Sequence, residues 1–422
     1  MHQDLCLLGK WGNKRMKFLG AGTFILYSII TGGIVGLLVW SFLAILSVTT
    51  RFLWVDLPNV IDIGAWPLIV CVVGGILIGL SQKYLGNYPR LTDEVVAEFK
   101  QTKRIDYSSV FKGAITAICV LSFGASLGPE AALVGIVGGL STWAGDVLKS
   151  LVKKKSILNE HGDIIIEYSI EATIGMVFRA PLFGVSTLLE DTKESRHIKL
   201  IKTVVYSLTT AAGFSVFILL SKIDNKQFFI ADFGTPALGG YEILAIIPLI
   251  LLGVLLAKLY ELFSHSAQKV LKPLENYKVI RAVIGGIVLG LVGTILPITL
   301  FSGEHELTEI AAKWTGMSAY LLLAIGIVKL FLTEFCLASG WRGGHIFPII
   351  FAGVSIGYGI ALLFSIDPVT SIAVVTTSLA SAVLRKPLAV FLLLIMIFQV
   401  KLVIPMLIAT YLPVYLLKLK RG

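Results

Sequence analysis

Charge is scarce in this sequence: of its 422 residues only 15% are Asp, Glu, Lys or Arg, against 56% that are hydrophobic. A soluble domain of this length cannot cover its surface with so few charges. The chain therefore reads as a polytopic α-helical membrane protein. Cysteine is scarce too: Cys6, Cys71, Cys119 and Cys336 lie far apart, three of them inside apolar runs. That spacing excludes a disulfide framework and a thiolate metal centre, and leaves the cysteines as packing residues. No His-Glu-x-x-His, no Ser/His pairing and no paired aspartates within helices occur. An intramembrane enzyme using Glu130, His305 or His345 as acid or base lacks its usual constellation, so the chain is not read as an enzyme, and no metal or cofactor is implied. No cleavable leader is visible either. Lys14-Arg15-Met16-Lys17 precedes a first apolar run of spanning length, which reads as a retained span with a cytoplasmic N-terminus.

What is present is a succession of apolar runs: 18–48, 61–80, 110–127, 129–148, 164–189, 204–220, 244–263, 279–300, 319–338, 346–364, 371–384 and 388–417. The formal net charge of +10 does not mark nucleic-acid binding, because the basic residues gather in short loops between these runs. Loops 99–104, 149–155, 193–202 and 269–281 and the tail 418–421 are basic and should share the cytoplasmic side, while 56–62, 224–239 and 302–309 are acidic or mixed. That asymmetry fits a bacterial inner membrane with both termini cytoplasmic. One transmembrane domain over 1–422 is expected, with no cytosolic regulatory domain.

The stretch from Phe123 to Gly139 sits deep in apolar sequence yet holds Gly124, Ser126, Gly128, Pro129 and Glu130. A continuous lipid-facing helix disfavours all of these, so the helix must break. Pro129 suits the first position of a new helix, whose free amides and positive dipole end, buried at membrane depth, form the usual device for holding an anion. The plainer reading is a kink whose Glu130 caps its own amides. A second break falls at Gly343-Gly344-His345-Ile346-Phe347-Pro348. The first break is followed by Arg179-Ala180-Pro181-Leu182 and the second by Arg385-Lys386-Pro387-Leu388, a parallel that points to two repeats, about 18–224 and 240–417, meeting at a midplane site. Glu334 lies within an apolar run, where Lys329 and Arg342 are its candidate partners; Glu304, His305 and Glu306 read as a solvated outer loop.

These segments, taken in order, resemble the CLC family of chloride channels and proton-coupled chloride exchangers. Ser339-Gly340-Trp341-Arg342-Gly343-Gly344-His345-Ile346-Phe347-Pro348 resembles the family's Ser-Gly-x-x-Gly-Gly-x-Phe-x-Pro signature, with the phenylalanine position falling on Ile346. Ala180-Pro181-Leu182-Phe183-Gly184, closing with Glu190 and Asp191, resembles its Ala-Pro-Leu-x-Gly segment. Gly128-Pro129 matches its Gly-Arg-Glu-Gly-Pro element, and Gly86 to Pro89 faintly resembles Gly-Ser-Gly-Ile-Pro. The resemblance implies an all-α integral membrane fold of inverted repeats whose half-helices meet at an anion site. It also implies a homodimer in the lipid bilayer with one pore per protomer, moving chloride or another small anion. Pore residues would then be Gly86, Asn87, Ser126, Leu127, Gly128, Pro129, Glu130, Gly343, Gly344, His345, Ile346 and Phe347. Glu190 and Asp191 are either a solvated helix end or, with Glu130, part of a proton path.

The departures matter as much. Leu127 stands where the family carries its gating glutamate, and Asn87 is a displaced candidate for the serine of the first motif. Losing the usual proton carrier favours passive, channel-like conduction; proton-coupled chloride or fluoride exchange through Glu130 is the alternative, because a shift of one residue turns a helical side chain by about 100° and can aim it away from the pore.

Overall fold

In the computed structural model of the chain, the described residues are 2–61, 63–151, 166–167, 169–170, 172–178, 180–182, 196–223 and 233–419. Glu190 and Asp191 lie outside them. Among the described residues no strand forms, and eight helices are long and apolar enough to cross a membrane. In chain order the helices are α1 (His2–Arg51), α2 (Trp66–Tyr84), α3 (Thr92–Thr102), α4 (Val110–Ser122), α5 (Glu130–Leu151), α6 (Arg196–Ile223), α7 (Gly240–Leu271), α8 (Lys278–Ile295), α9 (Glu304–Lys313), α10 (Ala319–Ala338), α11 (Ile346–Phe364), α12 (Pro368–Leu384), α13 (Pro387–Leu394) and α14 (Val403–Leu419).

The apolar run 388–417 does not form one helix. It is interrupted after Leu394 and restarts at Val403, where Pro405 falls in the first turn and has no intrahelical bond to forfeit. In the other direction, α1 runs past its apolar stretch into a wide π turn, Phe52–Asp56, and a short helix, Leu57–Val60. The π turn carries Trp54 inward, where its Nε1 donates to the Ser122 carbonyl at 2.8 Å and its ring meets Phe301 edge-on at 5.1 Å.

In lipid, apolar side chains gain little from leaving their solvent, so helices associate where small residues let backbones approach. Two seams of this kind organise the fold. Along α2 and α8, Gly75 and Gly79 rest on Ala282 and Val279, while Gly286 and Gly290 rest on Cys71 and Leu68; a Cβ at Gly286 would fall 2.2 Å from the Cys71 carbonyl oxygen. Along α1 and α6, Gly32 and Gly36 rest on Thr209 and Gly213, and a Cβ at either would come within 2.3 Å of a facing carbonyl oxygen. Gly286→Val should therefore destabilise the fold by about 1–3 kcal/mol through overpacking, read as a lower unfolding temperature in detergent. Gly64→Ala, where nothing lies within 4 Å of the new carbon, should leave that temperature alone.

Helices α10, α11 and α12 form the interior, with α11 and α12 buried through most of their length. Lys329 of α10 is wholly buried, and its ammonium donates to the carbonyls of Thr299 (3.0 Å), Leu300 (2.9 Å) and Phe301 (2.7 Å), 4.9 Å from the centroid of the Phe351 ring. It caps the chain end that follows α8. Removing the ammonium leaves those carbonyls without their donor, so Lys329→Met should cost about 1–3 kcal/mol for each buried acceptor left unsatisfied and lower the yield of monodisperse protein on size exclusion.

Candidate functional site

Both sequence breaks are real, and the fold brings them together. After α4 the chain turns at Gly124 (φ +87°), and the Leu127 amide bonds to the Ala125 carbonyl at 2.8 Å. Pro129 then opens α5, its carbonyl accepting from Leu133 at 3.0 Å. In the second half α10 ends in a left-handed turn at Gly340 (φ +95°), closed by Trp341 N–H to the Cys336 carbonyl at 2.9 Å. The Trp341 indole is pinned to the Ala282 carbonyl at 2.9 Å, and α11 begins at Ile346 with Pro348 in its first turn.

Gly128 and Gly344 form an isolated antiparallel bridge, N–H to O distances 2.7 and 2.8 Å. It holds the first turns of α5 and α11 side by side, so two positive dipole ends converge. The Glu130 carboxylate lies between them. Oε1 accepts from the Ile346 amide at 2.8 Å, Oε2 has no hydrogen-bond partner among the described residues, and the residue is 1% exposed. Glu130 thus reaches across the bridge to α11, beyond the role of a cap for its own helix, and its position on α5 aims it into the junction. Glycine is required on both sides of it: a Cβ at Gly344 would sit 1.9 Å from Glu130 Cδ, and one at Gly128 would sit 2.0 Å from Oε2.

Two cavities approach this junction. One, about 310 Å³, is walled by Arg51, Glu304, His305 and Glu306 and floored by Leu127 and Pro129. The other, about 330 Å³, is walled by Lys100, Lys103 and Lys386 and by the acids Asp93 and Glu167, and ends at Glu130, Gly343, Gly344, His345 and Ile346. Arg51 lies at the chain end that leads into α2 and Lys100 on the chain that leaves it; the 19 residues of α2 extend about 28 Å. An acidic and a basic vestibule therefore meet near the bridge from opposite directions.

Of the residues singled out in the sequence, Leu127 to Glu130 and Gly343 to Ile346 gather here. Phe347 is fully buried behind them, stacked on Phe178 at 4.3 Å, and the Ser126 hydroxyl lies 3.4 Å from that of Thr333. The Gly128 and Gly344 amides are engaged with one another, which leaves the start of α11 as the donor. Gly86 and Asn87 line neither vestibule: Asn87 is exposed, its Oδ1 accepting from Lys278 at 3.2 Å, while the Pro89 carbonyl accepts from Arg342 Nε at 2.9 Å. Arg342 also pairs with Glu94, so neither it nor Lys329 serves Glu334. Glu304 to Glu306 form a vestibule wall in the first turn of α9 and not a loop, with His305 exposed and Glu306 Oε2 buried without a hydrogen-bond partner among the described residues. Tyr260, 5% exposed with its ring 6.4 Å from that of His345, is a member of the junction that no sequence pattern marks, being one aromatic among many in an apolar helix.

The architecture has close counterparts. A slow cyanobacterial Cl⁻/H⁺ antiporter superposes with a TM-score of 0.73 at 17% identity, over 94% of this chain and 95% of that one. A CLC-type fluoride/proton antiporter gives 0.70 at 17% identity, over 94% and 95%. At that identity the likeness establishes the fold. In sequence, YfeO of Escherichia coli, which carries an ion-transport name, is 28% identical over 331 residues, 74% of this chain and 73% of its own. YfeO of Salmonella typhimurium is 28% identical over 341 residues, 78% of each. Residues 74–417 match the voltage gated chloride channel family, and with the helix breaks, their junction and the shared fold this chain belongs to that family of multi-pass membrane anion transporters.

Proposed function

We propose that the protein exchanges small inorganic anions, chloride first, for protons, and that Glu130 is both the plug of the anion site and the proton carrier. The observation that carries this is the hydrogen bond from the Ile346 amide to Glu130 at 2.8 Å. A carboxylate held at converging helix starts occupies the kind of place a halide would take. Anion and carboxylate then compete for one donor, and protonation, which removes the negative charge, tilts that competition toward the anion. Leu127, the apolar residue at the family's gating position, would close the acidic vestibule and not carry a proton. Passive conduction rested on Leu127 standing in place of the usual proton carrier and on Glu130 turning away from the pore; the hydrogen bond from Ile346 to Glu130 supports the exchange alternative.

Anions would gather in the basic vestibule, drawn by Lys100, Lys103 and Lys386, and lose water against amides, with no cation among the described residues fixed at the junction to trap them. We take the basic vestibule to face the cytoplasm and the working form to be a homodimer with one path per protomer. Purified protein in liposomes should release chloride while potassium and sodium stay inside, and chloride run down its gradient should drive protons the other way. A cation-selective reversal potential would sink the anion reading; chloride flux with no proton movement would restore passive conduction. Substituting fluoride for chloride in the same assay ranks the two ions.

A further inference from the structure

Gly343, Gly344 and His345 separate Arg342 from the Ile346 amide, and two adjacent glycines leave the backbone free to turn. The aim of that amide therefore depends on what holds the chain on either side of them. Trp341 donates from its indole to the Ala282 carbonyl of α8 at 2.9 Å. Arg342 reaches the other way: Nε donates to the Pro89 carbonyl at 2.9 Å, and Nη2 donates to both oxygens of Glu94. Pro89 precedes α3 and Glu94 stands in its first turn, so one guanidinium joins the second break to the first half of the chain. Position 342 is one that the family signature leaves unspecified. The segment it holds is lightly seated. Of the eleven residues of α3 only Val95 and Phe99 are buried, and the chain enters and leaves through left-handed turns at Gly86 (φ +108°) and Lys103 (φ +56°). A second ion pair, Arg90 with Glu98 at 2.6 Å, stays within the same segment. Lys100 of α3 and Lys103 just after it line the basic vestibule beside Asp93, with Lys386 and Glu167 lining it from other elements. The wall that first attracts an anion is thus tied, through Arg342, to the break that ends at the proposed donor.

We propose that Arg342 is a positioning residue: through Glu94 and the Pro89 carbonyl it yokes α3, the lysine-bearing wall of the basic vestibule, to the second break, and so sets the direction in which the Ile346 amide is offered to an anion. With the yoke intact, the glycine pair is held at both ends, by Trp341 and Arg342 on one side and by the Gly128 to Gly344 bridge on the other. With it broken, the pair relaxes and anions meet a donor that is less well aimed. The fold itself loses little, because the ion pair is partly solvated, with 17% of the Arg342 side chain and 45% of the Glu94 side chain exposed. This deepens the anion reading and rests on it for the consequence, since Ile346 is the donor there; the mechanical link between α3 and the break does not depend on it.

The test uses the full-length protein in detergent, with Arg342→Gln, Glu94→Gln and the double variant. Glu94→Gln keeps an oxygen for the Leu91 amide, so the start of α3 stays capped. In hydrogen-exchange mass spectrometry without halide, the amides of 343–347 should exchange faster in each single variant and no faster still in the double. In calorimetric chloride titration the half-saturating concentration should rise by about threefold to tenfold in either single variant, with no further rise in the double. Arg342→Lys, which keeps the charge without the planar fork, should recover part of that loss. Wild-type exchange at 343–347 in Glu94→Gln overturns the yoke, and so does equally fast exchange there in Arg90→Gln, because loosening of α3 in general would then explain it. Faster exchange with wild-type chloride affinity overturns the positioning role. Wild-type protein that binds no halide defeats the anion reading instead, and the exchange data then decide the link between α3 and the break alone.

Discussion

Replacing Glu130 by glutamine is expected to stop proton movement while anions still pass. The amide keeps the shape of the side chain and one oxygen that can accept from Ile346, but it cannot carry a proton through the cycle. It also lacks the charge that makes the present hydrogen bond strong: bonds to charged groups contribute about 1.5–3 kcal/mol against about 1 kcal/mol for neutral ones. With the competitor weakened, the half-saturating anion concentration should drop by about tenfold, since 1.4 kcal/mol is one decade. The wild-type protein should bind anions more tightly as pH falls, because protonation neutralises the carboxylate that competes for the Ile346 amide, and Glu130→Gln should lose that dependence. The readouts are simultaneous chloride-electrode and pH-electrode recordings and anion titration by calorimetry in detergent. A Glu130→Gln protein with wild-type proton movement makes Glu130 a structural cap of α11 and nothing more.

How much of this was legible beforehand can be argued from individual residues. The breaks were readable because proline and glycine leave a mark at a single position: Pro129 and the Gly343-Gly344 pair can be located without knowing what they touch. That the two breaks meet was expected from the parallel between the halves, but which residues pair was not, since the Gly128 to Gly344 bridge joins segments 216 residues apart. The direction of Glu130 was equally hidden. A helical position fixes an angle around the helix axis, but whether that angle meets a pore, a lipid or another helix start depends on where α11 lies. The partners of Lys329 and Arg342 were missed for the same reason: opposite charge within one run suggested Glu334, whereas backbone carbonyls after α8 and the Pro89 turn, far away in sequence, already held those donors. The helix seams were half legible. The spacing of Gly75 with Gly79 and of Gly286 with Gly290 is visible in the chain, and which seam meets which is a tertiary fact.

Gly344→Ala should abolish transport in a protein that still folds. Gly344 has no positive φ, so alanine fits its backbone, and the bridge to Gly128 uses main-chain atoms that the substitution leaves in place. What changes is the volume beside the Ile346 amide: the new Cβ would stand 1.9 Å from Glu130 Cδ and 2.1 Å from Oε1. The carboxylate is the far end of a flexible side chain and already borders the basic vestibule, so it can swing there at modest cost in stability. A halide cannot use the space it vacates, because the methyl group lies against the point from which Oε1 accepted its hydrogen bond. The second substitution makes the argument decisive. If the methyl acts only by displacing Glu130, then Glu130→Ala in the Gly344→Ala background removes the conflict and chloride flux returns. If anions themselves need that place at the start of α11, flux stays absent in the double variant, while Glu130→Ala alone conducts. Residues that share one site fail to combine additively in this way, and chloride efflux from liposomes containing each of the three variants reads the difference directly. Recovery in the double variant would move the anion path away from the Ile346 amide.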